Sequence, residues 1–417
     1  MSEISPSALI VEENNWVPID RRVWYEAMTL RDAGWNVTVI CPDGRGAHAG
    51  KEKTDHKLTN SPENLEGVTV YRYPLKFAET GALDYLIEYL VAFVSTARLS
   101  WKVWRTRGFD VIHFCNPPDI FFPIGLFYRL LGAKFVFDHH DLFPEMVLER
   151  FQGVTGRLLY VVTRLMEFLT IQSANVVISN NNSYKKIAEE RGKKKASRVI
   201  VVRNGPRIHD FVPVPQDPSL KCGHKYLVCF VGIMGEEDGV IEMVKAIRYI
   251  VHDRGRQDIM FAMLGDGAVR SRALNKVLTW GLNEFVDMPG MVRNDRLLRQ
   301  YMSTADICVS PEPQTPLNSS STFIKVGEYM AMGKPIVAFD LKETRFTAQK
   351  AAQYVTPGDI KGFGRAILDL LGDQDRRIAM GALGRNRVLQ SLGWEHQEQK
   401  LLHAYSIAIG DNNASSV

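Results

Sequence analysis

Short apolar runs alternate with amphipathic stretches along most of the chain. In the first half the runs lie at 8–11, 37–40, 111–114, 135–137, 176–178 and 199–202, and the stretches between them carry apolar residues at helical spacing. Nearly continuous apolar strands joined by helices are typical of a parallel sheet that is covered on both faces. The first half therefore predicts a doubly wound α/β domain.

The pattern breaks at 205–222, where four prolines occur and no period can be followed. A second series of apolar runs then lies at 227–231, 260–264, 286–288, 307–309 and 336–339. We therefore predict an N-terminal domain at 1–205, a linker at 206–222, a second α/β domain at 223–393 and a C-terminal helix at 394–417 that packs back on the first domain. Ligands of such sheets bind beyond the carboxyl ends of the strands, so the two sheets are expected to face an interdomain cleft.

Composition narrows the class of protein. Of the 417 residues, 45% are hydrophobic and 24% charged, as in ordinary soluble proteins. The 51 Lys and Arg against 47 Asp and Glu leave a formal charge of +4, too small to favour a nucleic-acid partner. The five cysteines form no CxxC pair, the N-terminus lacks the regions of a signal peptide, and charges interrupt the apolar stretch at 83–99. A cytoplasmic protein without a zinc site is expected.

The segment 310–340 carries the most candidate chemistry. A predicted strand runs into a serine-rich loop and then into a helix, and the start of that helix is expected at Ser319, Ser320, Ser321 and Thr322. Free backbone N–H groups at a helix start favour phosphate. Lys325 and Glu328 follow at a spacing that puts them on one helical face. A well-capped helix with a surface ion pair explains the same residues.

Two further segments follow predicted strands. His139, His140 and Asp141 come directly after the run at 135–137, where a histidine can position a substrate or stabilise a departing phosphate. Strand alternation sends the two histidines to opposite sides without telling which one is exposed. Core packing of a histidine and capping by the aspartate are the structural alternatives.

The segment 12–22 is the first strand–helix loop. It contains no GxGxxG, which argues against a Rossmann dehydrogenase. Its polar residues include Asn14, Asn15, Asp20 and Arg21. A helix cap at Asp20 with a surface arginine accounts equally well for the last two.

The run at 328–338, EYMAMGKPIVA, resembles the E-A-M-A-x-G-x-P-V-V-A signature of retaining glycosyltransferases of family four, which have the GT-B fold. The segments 201–205, 231–232, 264–267 and 289–293 follow in that family's order. The resemblance implies two tandem Rossmann-like domains facing a cleft. It also implies that Glu328 holds the ribose of a nucleotide-sugar. The loop 12–22 would face the acceptor, with Asn14, Asn15, Asp20 and Arg21 as candidate contacts and His139 near it. Further donor contacts would come from Gly232, Gly265, Asp266 and Arg293.

The sequence departs from the family pattern at two places. The first glutamate of the family's two-glutamate motif falls on Ser320, and the loop 232–239, GIMGEEDG, lacks the usual basic pair. Lys325 is then the candidate that stabilises the diphosphate, and His140 and Asp141 complete the predicted catalytic set. No metal and no other cofactor are expected.

Region 85–107 carries apolar and aromatic residues at helical spacing and then several cations. Core packing explains this pattern, and so does peripheral contact with a membrane. Relatives of the resembled family commonly use lipid-linked acceptors. The predicted function is transfer of a sugar from a nucleotide-diphosphate sugar to an acceptor hydroxyl, with retention of configuration, in glycolipid, polysaccharide or glycosylated-metabolite synthesis. A non-catalytic binding partner with this fold and a nucleotide-sugar 2-epimerase are the alternatives.

Overall fold

The computed structural model describes residues 5–44, 62–76, 81–151 and 153–410. These residues form two compact units. One unit contains the chain up to Arg203 together with the chain from Glu398 onward, and the other is Asn204–Gln397. The predicted fold class, two α/β domains built on parallel sheets, is confirmed.

The first unit is a largely parallel sheet covered by helices. Its strands β1–β8 are Ser7–Val11, Asn36–Pro42, Glu63–Leu65, Val68–Tyr73, Val111–Cys115, Lys134–His139, Val176–Ser179 and Val199–Val201. They lie in the order β3-β4-β2-β1-β5-β6-β7-β8, and only the β3–β4 pair is antiparallel. The helices α1–α6 are Arg21–Asp32, Ala82–Thr106, Phe122–Leu130, Phe143–Arg150, Gly153–Ser173 and Asn182–Glu190.

Strand alternation divides the first sheet into two faces. Ile112 and Phe114 of β5 point into a core that also contains buried residues of α2, α3, α5 and α6. His113, between them, points to the opposite face. These four helices therefore form one layer, and the outer side of this layer faces away from the sheet.

The second unit is a six-stranded, fully parallel sheet. Its strands β9–β14 are Tyr226–Val231, Ile259–Leu264, Val286–Gly290, Ile307–Ser310, Ile336–Phe339 and Ala352–Val355, in the order β11-β10-β9-β12-β13-β14. The helices α7–α13 are Val240–Arg248, Arg270–Thr279, Asp295–Thr304, Ile324–Ala331, Lys342–Ala348, Ile360–Gly372 and Gln374–Arg387. The last helix, α14, is Glu395–Ile409 and belongs to the first unit from Glu398 onward. Within that unit, the hydroxyl of Tyr405 lies 2.8 Å from Nδ1 of His113.

Each sheet has one point where the strand order reverses. In the first unit it lies between β1 and β5, and in the second between β9 and β12. The loops that leave two such strands diverge, so their carboxyl ends border an open crevice. Most of the candidate residues follow these strands or the strands next to them.

The structure departs from the sequence-based boundaries in detail. Residues 206–222 pack on the second unit: Phe211 is buried in its core, and the backbone N–H of Val214 donates to Ser303 Oγ at 3.0 Å. Strands β3, β4 and β14 were not predicted, because they are short or interrupted by polar residues. Residues 411–417 of the predicted C-terminal segment lie outside the described residues.

Candidate active site

Glycines bring the loops after β9 and β10 together in the second unit. A Cβ atom on Gly265 would lie 1.7 Å from the carbonyl oxygen of Gly232, and one on Gly267 would lie 2.7 Å from the carbonyl oxygen of Met234. Larger residues would push the loops apart. The N–H of Gly232 donates to Leu264 O at 3.0 Å, which fixes the loop at the end of β9.

Lys325 lies on α10 beside this loop, and its ammonium group is already paired. Its Nζ lies 2.7 Å from Glu312 Oε1 and 3.1 Å from Asp238 Oδ1, and 4.6 Å from the ring centre of Phe230. Burial opposes the charge, but the two carboxylates outweigh it and raise the pKa of Lys325 above its ordinary value. The predicted phosphate ligand is thus a buried cation between two carboxylates, and not the surface partner of Glu328.

Glu312 is a site residue that the sequence reasoning missed. It follows β12 and is 1% exposed, and the hydroxyl of Ser310 donates to its second carboxylate oxygen. The side-chain amide of Asn318 donates to Glu237 O at 2.8 Å, which ties the loop after β12 to the loop after β9. The signal available in the sequence was a carboxylate between two prolines at a strand end.

The predicted helix start at Ser319–Thr322 is wrong. Helix α10 begins at Ile324, and its N-cap Phe323 has no side chain that can cap. The serines lie in the preceding turn, where the N–H of Ser319 donates to Thr315 O and the hydroxyl of Ser321 donates to Leu317 O, both at 2.9 Å. Side-chain hydrogen bonds of this kind favour a turn over a helix.

The remaining donor-side residues surround the ends of the second sheet. Glu328 is buried on α10, and its neighbour Tyr329 accepts a 2.8 Å hydrogen bond from the N–H of Val231 and so fixes the helix to β9. Asp266 is exposed after β10, and its Oδ1 accepts from the N–H of Gly267 at 2.9 Å. Arg293 is exposed after β11.

In the first unit, His140 is held by a buried ion pair. The Asp138 carboxylate accepts hydrogen bonds from Nε and Nη2 of Arg22, each at 2.9 Å, and lies 2.6 Å from Nε2 of His140. Burial would raise the pKa of Asp138, but Arg22 and His140 hold it well below its ordinary value. The His140 side chain is 12% exposed, so it is the accessible histidine of the two.

Arg22 and Asp138 were also missed by the sequence reasoning. Asp138 and His140 are two residues apart, and alternation along an extended chain would have put them on one side. The partner of Asp138 could not have been found in this way, because Arg22 lies 116 residues earlier.

His139 does not fit the predicted acceptor-side role. It is fully buried, its ring lies 5.2 Å from that of Tyr184, and its Nε2 lies 3.6 Å from Glu167 Oε1. Arg191 in turn bridges Glu167 and Glu145. His139 is therefore a packed core histidine, which was the structural alternative in the sequence analysis.

The loop after His140 is held by Asn116. Its side-chain oxygen accepts from the N–H groups of His140 at 2.6 Å and Asp141 at 3.2 Å, and its amide donates to Asp141 O at 2.8 Å. Asp141 is half-buried, and burial raises the pKa of its carboxyl group. The backbone of this candidate segment is thus fixed independently of its side chains.

The loop after β1 begins at Glu12 and leads into α1. Asp20 caps α1 by accepting from the N–H of Val23 at 2.9 Å, as the structural alternative proposed. Asn15 Oδ1 accepts from the N–H of Trp16 at 3.0 Å, while Asn14 is exposed and Arg21 is half-buried at the helix start. Asn14 and Arg21 are therefore the more accessible candidates of this loop.

Glu13 in the same loop is buried against Glu88 of α2. The two carboxyl groups hydrogen-bond each other, and burial together with Glu88 raises the pKa of Glu13 well above its ordinary value. The loop after β1 therefore lies against α2 at Glu13 and Glu88.

One group of residues in the described ranges has the composition of a metal site. Glu26, His113, Cys115 and Asp138 are buried, with one potential ligand atom each within 4.8 Å of the others. Nη2 of Arg22 lies 2.9 Å from Asp138 and 3.3 Å from Glu26. Because the guanidinium already supplies the positive charge, these residues do not fit a metal ion well.

Comparison with known proteins places the chain in a family. Residues 19–207 match the model of Glycosyltransferase Family 4, and residues 225–373 match the model of Glycosyl transferases group 1. The two matches cover most of both units. The chain therefore belongs to the glycosyltransferase families that these two models describe.

A curated relative is similar over much of the chain. The chitobiosyldiphosphodolichol beta-mannosyltransferase of Candida albicans is 23% identical over 304 residues, which cover 67% of this chain and 64% of the relative. The chain thus spans somewhat less than two thirds of that relative's length.

Solved structures share the GT-B fold over nearly the whole chain. Sucrose-phosphate synthase from Thermosynechococcus elongatus has a TM-score of 0.76 at 19% identity and covers 96% of this chain and 98% of its own. Anabaena Alr3699/HepE in complex with UDP-glucose has a TM-score of 0.67 at 15% identity, with 96% and 99% covered. Among the helices of the described ranges, none is both long and apolar enough to cross a membrane.

Proposed function

We propose that the protein transfers a sugar from a nucleotide-diphosphate sugar to a hydroxyl group of a lipid-linked acceptor, in glycolipid or polysaccharide synthesis on the cytoplasmic side of a membrane. We infer the class of acceptor from the exposed apolar residues on the outer side of α2. Leu86, Leu90 and Val94 are 64%, 61% and 57% exposed there. Core packing accounts for the inner side of α2 and leaves this outer side unexplained.

Charge supports contact with a membrane. The exposed cations of α2 are Arg98, Lys102 and Arg105, whereas Asp84 is its exposed acid. Apolar side chains flanked by cations suit a helix that lies in the plane of an anionic bilayer surface. The name of the Candida relative gives an acceptor linked to diphosphodolichol. We therefore propose that region 85–107 contacts the membrane and that the acceptor is a lipid-linked substrate in that membrane.

The donor would bind at the carboxyl ends of β9 and β12. Glu328 is suited to accept hydrogen bonds from the ribose hydroxyls. Lys325, Glu312 and Asp238 together carry a charge of about −1, because one ammonium faces two carboxylates. Lys325 can therefore bind a diphosphate only by giving up a carboxylate partner, and Arg293 with the backbone N–H groups of the loop would supply the remaining attraction. A UDP-glucose complex among the similar structures supports a uridine nucleotide as the first candidate.

His140 is the candidate that touches the reacting sugar. Its Nε2 faces the ionised Asp138, so Nδ1 is the nitrogen left for a substrate hydroxyl. Arg22 and Asp138 position this ring. We propose transfer with retention and without a metal ion, which predicts an unchanged anomeric configuration in the product and full activity in EDTA.

Calorimetry on the purified full chain tests the donor site. UDP, GDP, ADP and TDP are titrated into the wild type, Glu328→Ala and the exposed control Glu284→Ala, each with EDTA. We expect one nucleotide to bind the wild type and the control, and Glu328→Ala to lose about tenfold or more in affinity, since a charge-assisted hydrogen bond is lost. Equal binding by Glu328→Ala would show that the donor site has been placed wrongly.

A further inference from the structure

The first unit has an apolar hollow between α2 and α3, on the outer side of the helix layer. It is lined by Phe93, Ala97 and Trp101 of α2 and by Ile124, Phe127 and Tyr128 of α3, and it has a volume of about 350 Å³. This volume lies within the range of small-molecule sites. Trp101 and Phe127 are both 44% exposed. A hydrocarbon occupant would remove these aromatic surfaces from water.

The hollow lies close to the candidate acceptor loops. Phe93 follows Glu88 by five residues, about 8 Å along a helix. Glu88 hydrogen-bonds Glu13 of the loop after β1. The ring of Tyr89 lies 5.8 Å from that of Phe143, two residues after Asp141. A ligand whose head group lies at these loops therefore reaches the hollow by following α2.

The surface around the hollow is apolar on both sides. Leu90 and Val94 of α2 are exposed next to it, and Leu130 of α3 is 87% exposed. Helix α5 extends the surface with Leu158 and Val161. Exposed cations of α2 and α3 accompany it, at Arg98, Lys102 and Arg129. This composition suits a bilayer with anionic head groups, and the hollow is where a single chain could leave that bilayer.

We propose that the hollow binds the hydrocarbon chain of the lipid-linked acceptor, next to its head group. The proposal rests on the proposed function and deepens it, because it makes chain binding by the protein part of acceptor recognition. The acceptor is then an anionic lipid whose chain is drawn out of the bilayer along α2, while its head group reaches His140 and the loop after β1.

Photolabelling of the full chain tests this assignment. The probe is a photoreactive diazirine analogue of farnesyl phosphate, and unlabelled farnesyl phosphate is the competitor. Ala97→Trp fills the hollow, while Leu130→Trp places the same side chain on the same apolar face outside it. We expect saturable labelling of the segments 93–101 and 124–128, reduced about tenfold in Ala97→Trp and unchanged in Leu130→Trp.

Three results would overturn the assignment. Equal labelling of wild type and Ala97→Trp, or labelling confined to α5, would show that the hollow does not bind the chain. Competition by phosphatidylglycerol vesicles as strong as that by farnesyl phosphate would show that ordinary bilayer chains fill it. Ala97→Leu, a smaller change, repeats the test if Ala97→Trp does not fold. UDP calorimetry on the same variants separates the two proposals. Labelling of the hollow without UDP binding would contradict only the proposed donor site. UDP binding without labelling of the hollow would contradict only the proposed chain site.

Discussion

The guanidinium of Arg22 donates two hydrogen bonds of 2.9 Å to the carboxylate of Asp138. Both side chains are buried, and His140 binds the same carboxylate at 2.6 Å. Asp138 is thereby kept ionised in the interior, and the ring of His140 is held at the end of β6. The one accessible histidine of the segment depends on a contact between α1 and β6.

Replacing Arg22 by methionine should destabilise the first unit. The variant leaves Asp138 buried without its main partner, and breaking a buried pair in this way typically costs about 3–5 kcal/mol. Urea unfolding followed by circular dichroism measures the loss. Lys186→Ala is the control: it removes an exposed ion pair with Glu190 and should change stability by less than about 1 kcal/mol. A similar small effect of both variants would contradict a structural role for the Arg22–Asp138 pair.

Replacing His140 by alanine should lower kcat while the protein stays folded. A positioned acid, base or charge-stabilising group typically contributes about 10²–10⁴-fold. Asp138→Asn should lower kcat as well, because it weakens the hydrogen bond that orients the ring. UDP affinity, which depends on the second unit, should not change in His140→Ala. The control is His403→Ala, on the exposed side of α14; full activity of His140→Ala would remove this residue from the mechanism.

The Glu13–Glu88 pair should make the protein less stable as pH rises. The pKa of Glu13 in the folded protein lies above its ordinary value of 4.5. At pH values between the ordinary pKa and the raised pKa, the folded state keeps a proton that the unfolded state releases. The free energy of unfolding therefore falls by about 1.4 kcal/mol per pH unit in that range. Glu13→Gln cannot ionise, and its Tm should fall less between pH 5 and pH 8. The exposed Glu149→Gln should follow the wild type. An identical fall in Glu13→Gln would show that Glu13 does not keep its proton in the folded protein.

Replacing Glu312 by glutamine should strengthen UDP binding. The change removes one of the two carboxylates that neutralise Lys325, so that the ammonium becomes available to the diphosphate. We expect a gain of about 1 kcal/mol, or roughly fivefold in affinity, since charged hydrogen bonds are worth somewhat more than neutral ones. Calorimetry with Glu284→Gln as the control measures it. Unchanged affinity would make Lys325 a purely structural cation.

Charges on the outer side of α2 should release the protein from membranes. In flotation with phosphatidylglycerol vesicles, Leu86→Glu combined with Leu90→Glu should reduce the bound fraction at least about tenfold, because apolar burial is lost and anionic lipid repels the new charges. Leu383→Glu, at a 49% exposed position of α13, should bind as the wild type does. Added salt should weaken wild-type binding. Binding of the double variant at the wild-type level would place the membrane contact elsewhere.

Local patterns in the sequence were sufficient to predict the architecture of two parallel-sheet domains. Apolar runs separated by helical spacing predicted two parallel-sheet domains, and the order of short motifs predicted the family. Asp20 could be recognised as a cap from its position alone, since a cap binds the backbone only two or three residues further on. These features depend on contacts within one or two turns of chain.

Contacts between distant residues decided the site, and the sequence gives no distance for them. Lys325 was predicted to bind the diphosphate, with a surface ion pair to Glu328 as the structural alternative. In the structure its partners are Glu312 and Asp238, the latter 87 residues earlier in the chain. The partner of Asp138 comes from another helix, and His139 is buried because Glu167 and Tyr184 cover it. The alternation of β6 determined that His139 and His140 point to opposite sides. Only the packing of helices on that sheet decided which side is open to a substrate, because burial depends on what covers a residue and not on its neighbours in the chain.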